Sequence, residues 1–273
     1  MKRVGKALIL LLLLAGMFFA FRQLGEKPEE YITYLGESLL LQEGVARNPF
    51  SAEDFSEEEG RVCYTGNTVR AMTVIDVSIW QGEIDWQAVA ADGVEGVMIR
   101  VGYRGYGSET GVLCEDERFR ENLRGAQEAG LAVGAYFFSQ AVTEEEAREE
   151  AAFAVSLLEE ETLTLPLAFD WERVSPADAR TAHVTGEQLT AFAHAFCTEV
   201  EEAGFLPMVY FNQDTAYRMY DLAAVDAYPF WLAEYDAVPS FAYAFTLWQY
   251  SDAGTVAGIG PSVDLNLWLG LSS

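Results

Sequence analysis

Basic residues are scarce in this chain. Its 273 residues include 17 Lys and Arg against 43 Asp and Glu, so the formal net charge is -26 at pH 7. Binding to a phosphate backbone depends on clusters of Lys and Arg, and beyond residue 30 this sequence has only scattered ones. The composition therefore argues against nucleic acid as a partner. The acidity itself concerns solubility and does not indicate a fold.

Histidine and cysteine are also scarce. The chain has two histidines, His183 and His194, and three cysteines, Cys63, Cys114 and Cys197. Their spacing matches no metal-binding motif, so we expect no metal and no other cofactor. Cys63 and Cys114 could pair in an exported domain, although the sequence does not establish it. Cys197 lies in a predicted helix, where we expect a buried free thiol.

Only one long apolar run is present, from Ala7 to Phe21, and Lys2, Arg3 and Lys6 precede it. A basic flank followed by an apolar segment is typical of an export signal. No small-x-small cleavage site follows, so we expect residues 1–22 to be an uncleaved signal anchor, with a cleaved signal peptide as the alternative. Residues 7–21 would then contact the cytoplasmic membrane. The basic flank places the rest of the chain on the extracellular face, or free in the medium if the segment is cleaved.

The next segment, residues 23–71, is rich in Glu, Ser and Gly and has no sustained apolar period. It contains the charged run "SAEDFSEEEG" at residues 51–60. Such a composition is typical of a linker. We therefore predict an acidic stalk or a loosely packed lead-in to the domain that follows.

From residue 72 to 273 the pattern changes to short apolar runs. Eight of them are candidate strands, at residues 73–78, 96–102, 131–138, 165–171, 206–211, 229–235, 244–250 and 262–268. Helical stretches separate the first five, and strand–helix alternation predicts a parallel sheet. We predict an α/β fold, a modified TIM-like (β/α) barrel of eight strands with short, helix-poor connections in its last third. The alternative, an open doubly wound sheet, needs a phosphate-binding first turn, and "GYRGYG" at 102–107 has the wrong spacing.

The run "LAFDWERV" at residues 167–174 places Asp170 and Glu172 two positions apart at the end of the fourth predicted strand. Side chains at i and i+2 leave the same face of a strand, roughly 6.6 to 7 Å apart. A lone Asp-x-Glu in an acidic chain is more often a surface charge. Asp76 and Asp264, however, occupy comparable places on the first and eighth predicted strands, and catalytic groups of such barrels gather on one rim.

Aromatic and amide side chains occur at the same predicted rim, and we expect them to bind substrate: Tyr136, Tyr210, Trp231, Tyr235, Trp248 and Gln249. Crowded carboxylates repel each other, so one takes up a proton near neutral pH, as a general acid requires. Aromatic rings suit the apolar faces of sugars. Together these features favour glycoside cleavage, which uses a pair of carboxyl groups.

Eight motifs occur in order over about 195 residues: "IDVSIWQGEIDWQ" (75–87), "GVMIRVGYRGYG" (96–107), "VGAYFFSQA" (133–141), "LAFDWE" (167–172), "MVYFN" (208–212), "FWLAEY" (230–235), "LWQYS" (247–251) and "VDLN" (263–266). Together they resemble the glycoside hydrolase family 25 lysozymes, the Chalaropsis-type N-acetylmuramidases. The resemblance implies an eight-stranded barrel that cleaves the β-1,4 bond between N-acetylmuramic acid and N-acetylglucosamine in the glycan strands of peptidoglycan. It implies that Glu172 is the general acid and that Asp170 is its partner, assisting the substrate acetamido group or the developing cation. Asp76 and Asp264 would be supporting carboxylates.

Some alternatives stay open at this stage. One departure from the family pattern is the third-strand motif, often Tyr-His-Phe, which reads Tyr136-Phe137-Phe138 here. A non-catalytic wall-binding module on the same fold is the second reading, and the four acids argue against it. A chitinase-like enzyme would carry a longer acidic run before Asp170. The carboxylate pair could act as nucleophile, by activating water or with substrate assistance, and the resemblance favours retention with acetamido assistance.

Overall fold

The computed structural model describes residues 29–106, 110–159, 161–174 and 179–271. The chain divides into two compact units, one ending at Leu41 and the other running from Gln42 onward. In the first unit, strands β1 (Tyr31–Tyr34) and β2 (Glu37–Leu40) form an antiparallel hairpin. Its turn residues Leu35 and Gly36 have φ of 49° and 82°, the positive values that tight hairpin turns require.

The second unit begins with a segment that packs onto the barrel. Strands β3 (Phe55–Glu58) and β4 (Arg61–Tyr64) form an antiparallel hairpin, in which Phe55 and Val62 are buried. The ring of Phe55 lies 5.5 Å from that of Trp248, in an edge-to-face arrangement. Before the hairpin, Arg47 pairs with Tyr243 in an isolated antiparallel bridge.

Through these contacts residues 42–64, within the predicted stalk or lead-in over 23–71, pack against the barrel and belong to the same compact unit. The sequence hides this packing because each short element contributes only one or two apolar side chains. Between Leu41 and Phe55 the sequence has two isolated large apolar side chains, Val45 and Phe50. Such isolated contacts leave no hydrophobic period for sequence reasoning to detect.

The barrel strands follow in chain order: β5 (Arg70–Val77), β6 (Gly96–Arg104), β7 (Leu113–Glu115), β8 (Ala132–Ser139), β9 (Leu167–Trp171), β10 (Pro207–Asn212), β11 (Phe230–Ala233), β12 (Leu247–Gly254) and β13 (Val263–Leu271). The sheet order is β5-β13-β12-β11-β10-β9-β8-β6, and pairing of β5 with β6 closes it. Eight strands of the described chain thus form a closed barrel, which confirms the predicted fold class. Strand β7 is an additional arm, antiparallel to β6.

Strand β13 runs antiparallel to both of its neighbours, whereas the other seven barrel strands are parallel. The rule for parallel strands predicts Asp264 at a strand end on the active rim. The residue does lie on that rim, but it lies there because the N-terminal end of β13 points toward it. The connection over residues 255–262 is too short for a parallel crossover, which takes about a dozen residues or more.

Helices cover the first part of the barrel: α1 (Trp86–Ala91), α2 (Phe119–Glu128), α3 (Glu144–Leu157), α4 (Gly186–Glu202) and α5 (Gln213–Arg218). Side chains cap three of these helices: Asp85, Thr143 and Thr185 accept hydrogen bonds from the first turns of α1, α3 and α4, respectively. Along residues 219–271 the structure has no α-helix, so the predicted helix-poor last third is also confirmed. There the hairpin β3–β4 lies against Trp248.

Side chains alternate between the inside and the outside of the barrel. The inner cluster is Met72, Val74, Met98, Tyr136, Leu165, Ala168, Met208, Tyr210, Trp231, Ala233, Leu247 and Trp268. On the outside, Phe169 of β9 packs against Phe196 of α4 with ring centroids 5.1 Å apart. Ala168 and Asp170 are therefore the inward positions on β9. The acid pair that begins at Asp170 is thus directed into the barrel.

Two further predictions concern cysteines and the membrane. Cys197 is a buried free thiol in α4, as predicted, while Cys63 and Cys114 are not joined by a disulfide. In the part of the chain that the structure describes, no helix combines the length and the apolar character needed to cross a membrane. The predicted anchor over residues 7–21 lies outside the described residues.

Candidate active site

A cavity of about 280 Å³ opens at the rim where the parallel strands end. Its lining residues are Asp76, Ser78, Trp80, Gln81, Arg100, Tyr106, Tyr136, Phe138, Asp170, Glu172, Tyr210, Trp231, Tyr235, Gln249 and Asp264. Nine of the ten predicted site residues are among them. Four acids thus meet in one cavity: Asp76 of β5, Asp170 and Glu172 at the end of β9, and Asp264 of β13.

Asp76 and Asp264 form the first carboxylate pair. They lie directly opposite each other in the register of β5 and β13. Oδ2 of Asp76 accepts hydrogen bonds from Asn266 Nδ2 (2.7 Å) and from Gln249 Nε2 (2.9 Å). Asp264 also donates a hydrogen bond to Asp76, so the Asp76 carboxylate is held by three donors.

The protonation of this pair follows from these contacts. Burial, the negative charge of Asp76 and the shared hydrogen bond raise the pKa of Asp264 to about 9. Burial also raises the pKa of Asp76, but the hydrogen bonds from Asn266, Gln249 and Asp264 oppose that rise. At neutral pH Asp264 therefore keeps a proton, which it shares with Asp76 through their hydrogen bond.

Gln249 is oriented by the two tyrosines that line the same wall. Tyr210 and Tyr235 donate their hydroxyls to Gln249 Oε1, at 3.2 and 3.1 Å. With its oxygen engaged, the amide must point Nε2 at Asp76, as observed. The neighbouring indole of Trp231 donates to Asn266 Oδ1 at 2.8 Å and orients that amide in the same way. These predicted substrate-binding residues thus also fix the first pair.

Asp170 and Glu172 form the second pair, at the end of β9. Asp170 is 5% exposed, and its Oδ1 has no hydrogen-bond partner among the described residues. Burial, followed by the negative charges of Glu172 and Asp76, raises the pKa of Asp170 well above its usual range. Burial and the charge of Asp76 raise the pKa of Glu172. Both shifts favour the protonated form of the pair, which is the form that general-acid catalysis requires.

Arg100 is the one cation that lines the cavity among the described residues, and sequence reasoning did not select it. Its guanidinium lies 2.7 Å from Asp116 Oδ2, which also accepts a hydrogen bond from the Ile79 amide. Its positive charge opposes the rise in the pKa of Asp170. The alternation along β6 could have identified Arg100 from the sequence, because Met98 faces inward and Arg100 follows two positions later.

Trp248 is the predicted site residue that the structure places elsewhere. It is fully buried on the outer face of β12, packs against Phe55, and donates its indole N–H to the Glu234 carbonyl at 2.8 Å. Adjacent residues of a strand face opposite sides, so Trp248 points outward because Gln249 points inward. Two exposed rings that were not selected, Trp80 and Tyr106, lie at the cavity instead.

A closed βα barrel whose rim carries four crowded carboxyl groups among aromatic rings has the architecture and the chemistry of a glycoside hydrolase. The family model of glycosyl hydrolases family 25 matches residues 75–259. The chain belongs to this family and is a glycoside hydrolase.

Similar proteins agree with this assignment. Lysozyme M1 of Streptomyces globisporus is 28% identical over 251 residues, which cover 87% of this chain and 78% of that protein. Among solved structures, the modular autolysin LytC from Streptococcus pneumoniae, in complex with a synthetic peptidoglycan ligand, has a TM-score of 0.66 at 21% identity. That match covers 89% of this chain, which spans only 57% of the LytC chain. A family 25 glycosyl hydrolase from Bacillus anthracis has a TM-score of 0.59 at 21% identity, covering 74% of this chain and 90% of that one.

Proposed function

We propose that this chain is a peptidoglycan hydrolase, a lysozyme that cleaves the β-1,4 bond between N-acetylmuramic acid and N-acetylglucosamine. The observation that carries the proposal is the Asp170–Glu172 pair, whose carboxyl groups share one cavity and are both pushed toward the protonated form. Membership of glycosyl hydrolases family 25 and the similarity to Lysozyme M1 support this substrate class.

In this proposal Glu172 is the general acid that protonates the leaving oxygen. Glu172 is half-buried, so it reaches both the cavity and the substrate. Asp170 lies deeper and is the partner that acts on the substrate acetamido group or on the developing cation. Asp76 and Asp264 support the pair from the opposite wall, where hydrogen bonds from Gln249 and Asn266 hold the Asp76 carboxyl group in place.

Retention with acetamido assistance is the mechanism that we propose for this site. An N-acetyl group carries one N–H, and Oδ1 of Asp170 is a buried acceptor without a partner among the described residues. A hydrogen bond from that N–H would satisfy Asp170 and would turn the acetamido oxygen toward the anomeric carbon. The oxygen could then displace the leaving group that Glu172 protonates. Measuring the anomer formed first, by proton NMR, tests this step: the β-anomer is expected, and the α-anomer would indicate inversion.

The bond that is cleaved can be identified from the new reducing ends. Purified peptidoglycan is digested, reduced with borohydride and hydrolysed to its amino sugars. We expect reduced muramic acid in the wild-type digest and at least about a hundredfold less of it with Glu172→Gln. Reduced glucosamine instead would indicate a glucosaminidase. Retention of the protein on insoluble peptidoglycan without any new reducing end would support the wall-binding module.

We also propose that the enzyme acts outside the cytoplasmic membrane, with residues 1–22 as a signal anchor, residues 23–71 as lead-in and residues 72–273 as the catalytic barrel. The proposal is supported by the basic flank and the apolar run from Ala7 to Phe21. Cell fractionation with N-terminal sequencing tests it. We expect the mature protein in the membrane fraction with its original N-terminus. A soluble extracellular form that starts near residue 21 would instead show a cleaved signal peptide.

A further inference from the structure

Glu172 lies one residue beyond the end of β9, so the sheet does not hold its main chain. The last register pairs of this strand are Ser139 with Trp171 on one side and Tyr210 with Asp170 on the other. A general acid needs a fixed position relative to the leaving oxygen, within hydrogen-bond distance. Some contact other than the strand ladder must supply that position.

Gln140 makes this contact. It follows β8 directly, is fully buried and does not line the cavity. Its Nε2 donates to the carbonyl oxygens of Ser139 and Glu172, each at 2.8 Å. Next to it, the Trp171 indole donates to the Ala141 carbonyl at 3.1 Å. The turn after β8 is therefore tied twice to the end of β9, once at the residue before Glu172 and once at Glu172 itself.

The orientation of the Gln140 amide follows from its surroundings. Both hydrogens of Nε2 face carbonyl oxygens, so exchanging the amide oxygen and nitrogen would bring three oxygens together. In the observed orientation Oε1 is buried without a hydrogen-bond partner among the described residues. A buried unsatisfied acceptor costs about 1–3 kcal/mol. The chain accepts this cost at a residue whose donors reach the backbone of Glu172.

Glu150 of α3 holds the turn that carries Gln140. Its carboxylate accepts hydrogen bonds from Ser139 Oγ at 2.5 Å and from Arg104 Nε at 2.7 Å. It also accepts a longer one, at 3.4 Å, from the backbone N–H of Gln140. The side chains of Arg104 and Glu150 are 4% and 0% exposed. Burying an ion pair rarely adds stability by itself, whereas here it fixes a turn that contacts the site.

We propose that Gln140 is a positioning residue for the reaction, holding the main chain of Glu172 so that its carboxyl group stays in the cavity, with Glu150 seating the turn from which Gln140 reaches. This inference rests on the proposed role of Glu172. Gln140 touches no substrate in this scheme. It acts only through the carbonyl of Glu172.

The test compares two matched substitutions, Gln140→Met and Gln42→Met, with soluble peptidoglycan oligosaccharides as substrate. The side-chain amide of Gln42 also forms hydrogen bonds with the main chain: it donates to the Tyr220 carbonyl and accepts from the Leu222 N–H. It does not line the cavity. We expect Gln140→Met to lower kcat about 10- to 100-fold, since misplacing a reacting group by about 1 Å costs up to ~10²-fold. KM should change by less than about twofold, because substrate contacts are kept. Gln42→Met should leave both unchanged.

A second variant covers the case in which Gln140→Met does not fold. In Gln140→Glu the protonated side chain can still donate to the Glu172 carbonyl, but the ionised one cannot. The ionised side chain at position 140 would face the Glu172 carbonyl oxygen and the acids Glu150 and Glu172, and Arg104 would be the cation near it. We expect kcat per folded molecule, relative to wild type, to fall as pH rises.

The outcomes separate the two proposals. A wild-type protein that does not cleave peptidoglycan would overturn the proposed function. Cleavage by wild type, together with equal kcat values for Gln140→Met and Gln42→Met or a pH-independent ratio for Gln140→Glu, would overturn the positioning role alone.

Discussion

The two carboxylate pairs share one cavity but are held in opposite ways. Asp76 accepts hydrogen bonds from two oriented amides and from Asp264. Asp170 is equally buried, yet its Oδ1 has no partner among the described residues. Leaving a buried acceptor unpaired costs about 1–3 kcal/mol, and the chain accepts that cost on one side only. The satisfied pair is part of the scaffold, and the unsatisfied pair is prepared for a ligand.

Removing the proton donor of the unsatisfied pair should have the largest effect. We expect Glu172→Gln to lower kcat on peptidoglycan by about 10²- to 10⁴-fold, the usual contribution of a general acid. The melting temperature and circular dichroism spectrum should stay close to those of wild type, because Glu172 lies beyond the strand. Wild-type activity in this variant would end its assignment as the acid.

Asp170→Asn should come next, with a similarly severe loss of kcat. The two acids act on one transition state, so the double variant Asp170→Asn/Glu172→Gln should be little worse than either single variant. Initial rates of peptidoglycan solubilisation for the three variants check this. A mild effect of Asp170→Asn would move the partner role to Asp76 or Asp264 and would reverse the comparison of the two pairs.

Much of this comparison could be predicted from the sequence, because two simple rules of strand geometry govern it. Alternation along a strand puts Asp170 and Glu172 on one face, and parallel strands carry such positions to one rim. The same alternation, applied strictly, would have excluded Trp248 once Gln249 was selected. It would also have pointed to Arg100, two positions after an inward Met98.

The hydrogen bonds that distinguish the pairs could not be predicted in this way. They depend on which strand neighbours which, and the register of Asp264 opposite Asp76 exists only because β13 runs antiparallel. The short connection over residues 255–262 indicates that direction. The packing of Phe55 on Trp248 joins side chains far apart in the sequence, and no local pattern signals it.

The satisfied pair should affect stability more than catalysis, and Asp264→Asn tests this. Asparagine resembles a protonated aspartate, so we expect kcat to fall less than about tenfold, well below the effect of removing a general acid. In the wild type the pKa of Asp264 is about 9 when folded, against about 3.9 when unfolded. Only the folded state keeps this proton between those values, so its contribution to stability is full below about pH 4 and is lost as pH rises to about 9.

Urea denaturation at several pH values between 5 and 9 measures this contribution. The free energy of unfolding should fall less steeply with rising pH in Asp264→Asn than in wild type. Asp226→Asn, at an exposed position outside the cavity, is the matched control and should follow wild type. Identical slopes for all three proteins would mean that Asp264 does not hold the proton.

Removing metal ions should have the smallest effect. This experiment tests whether the unpaired oxygen of Asp170 binds a metal ion or the acetamido group of the substrate. Metal ligands must be deprotonated, whereas burial raises the pKa values of all four acids. Protonated carboxyl groups suit proton transfer and hydrogen bonding to a substrate better than they suit a cation. We therefore expect dialysis against EDTA to leave the rate of peptidoglycan solubilisation unchanged, with buffer-dialysed enzyme as the control. A loss of rate that zinc or magnesium restores would make Asp170 Oδ1 a ligand position and would replace the acetamido group as its partner.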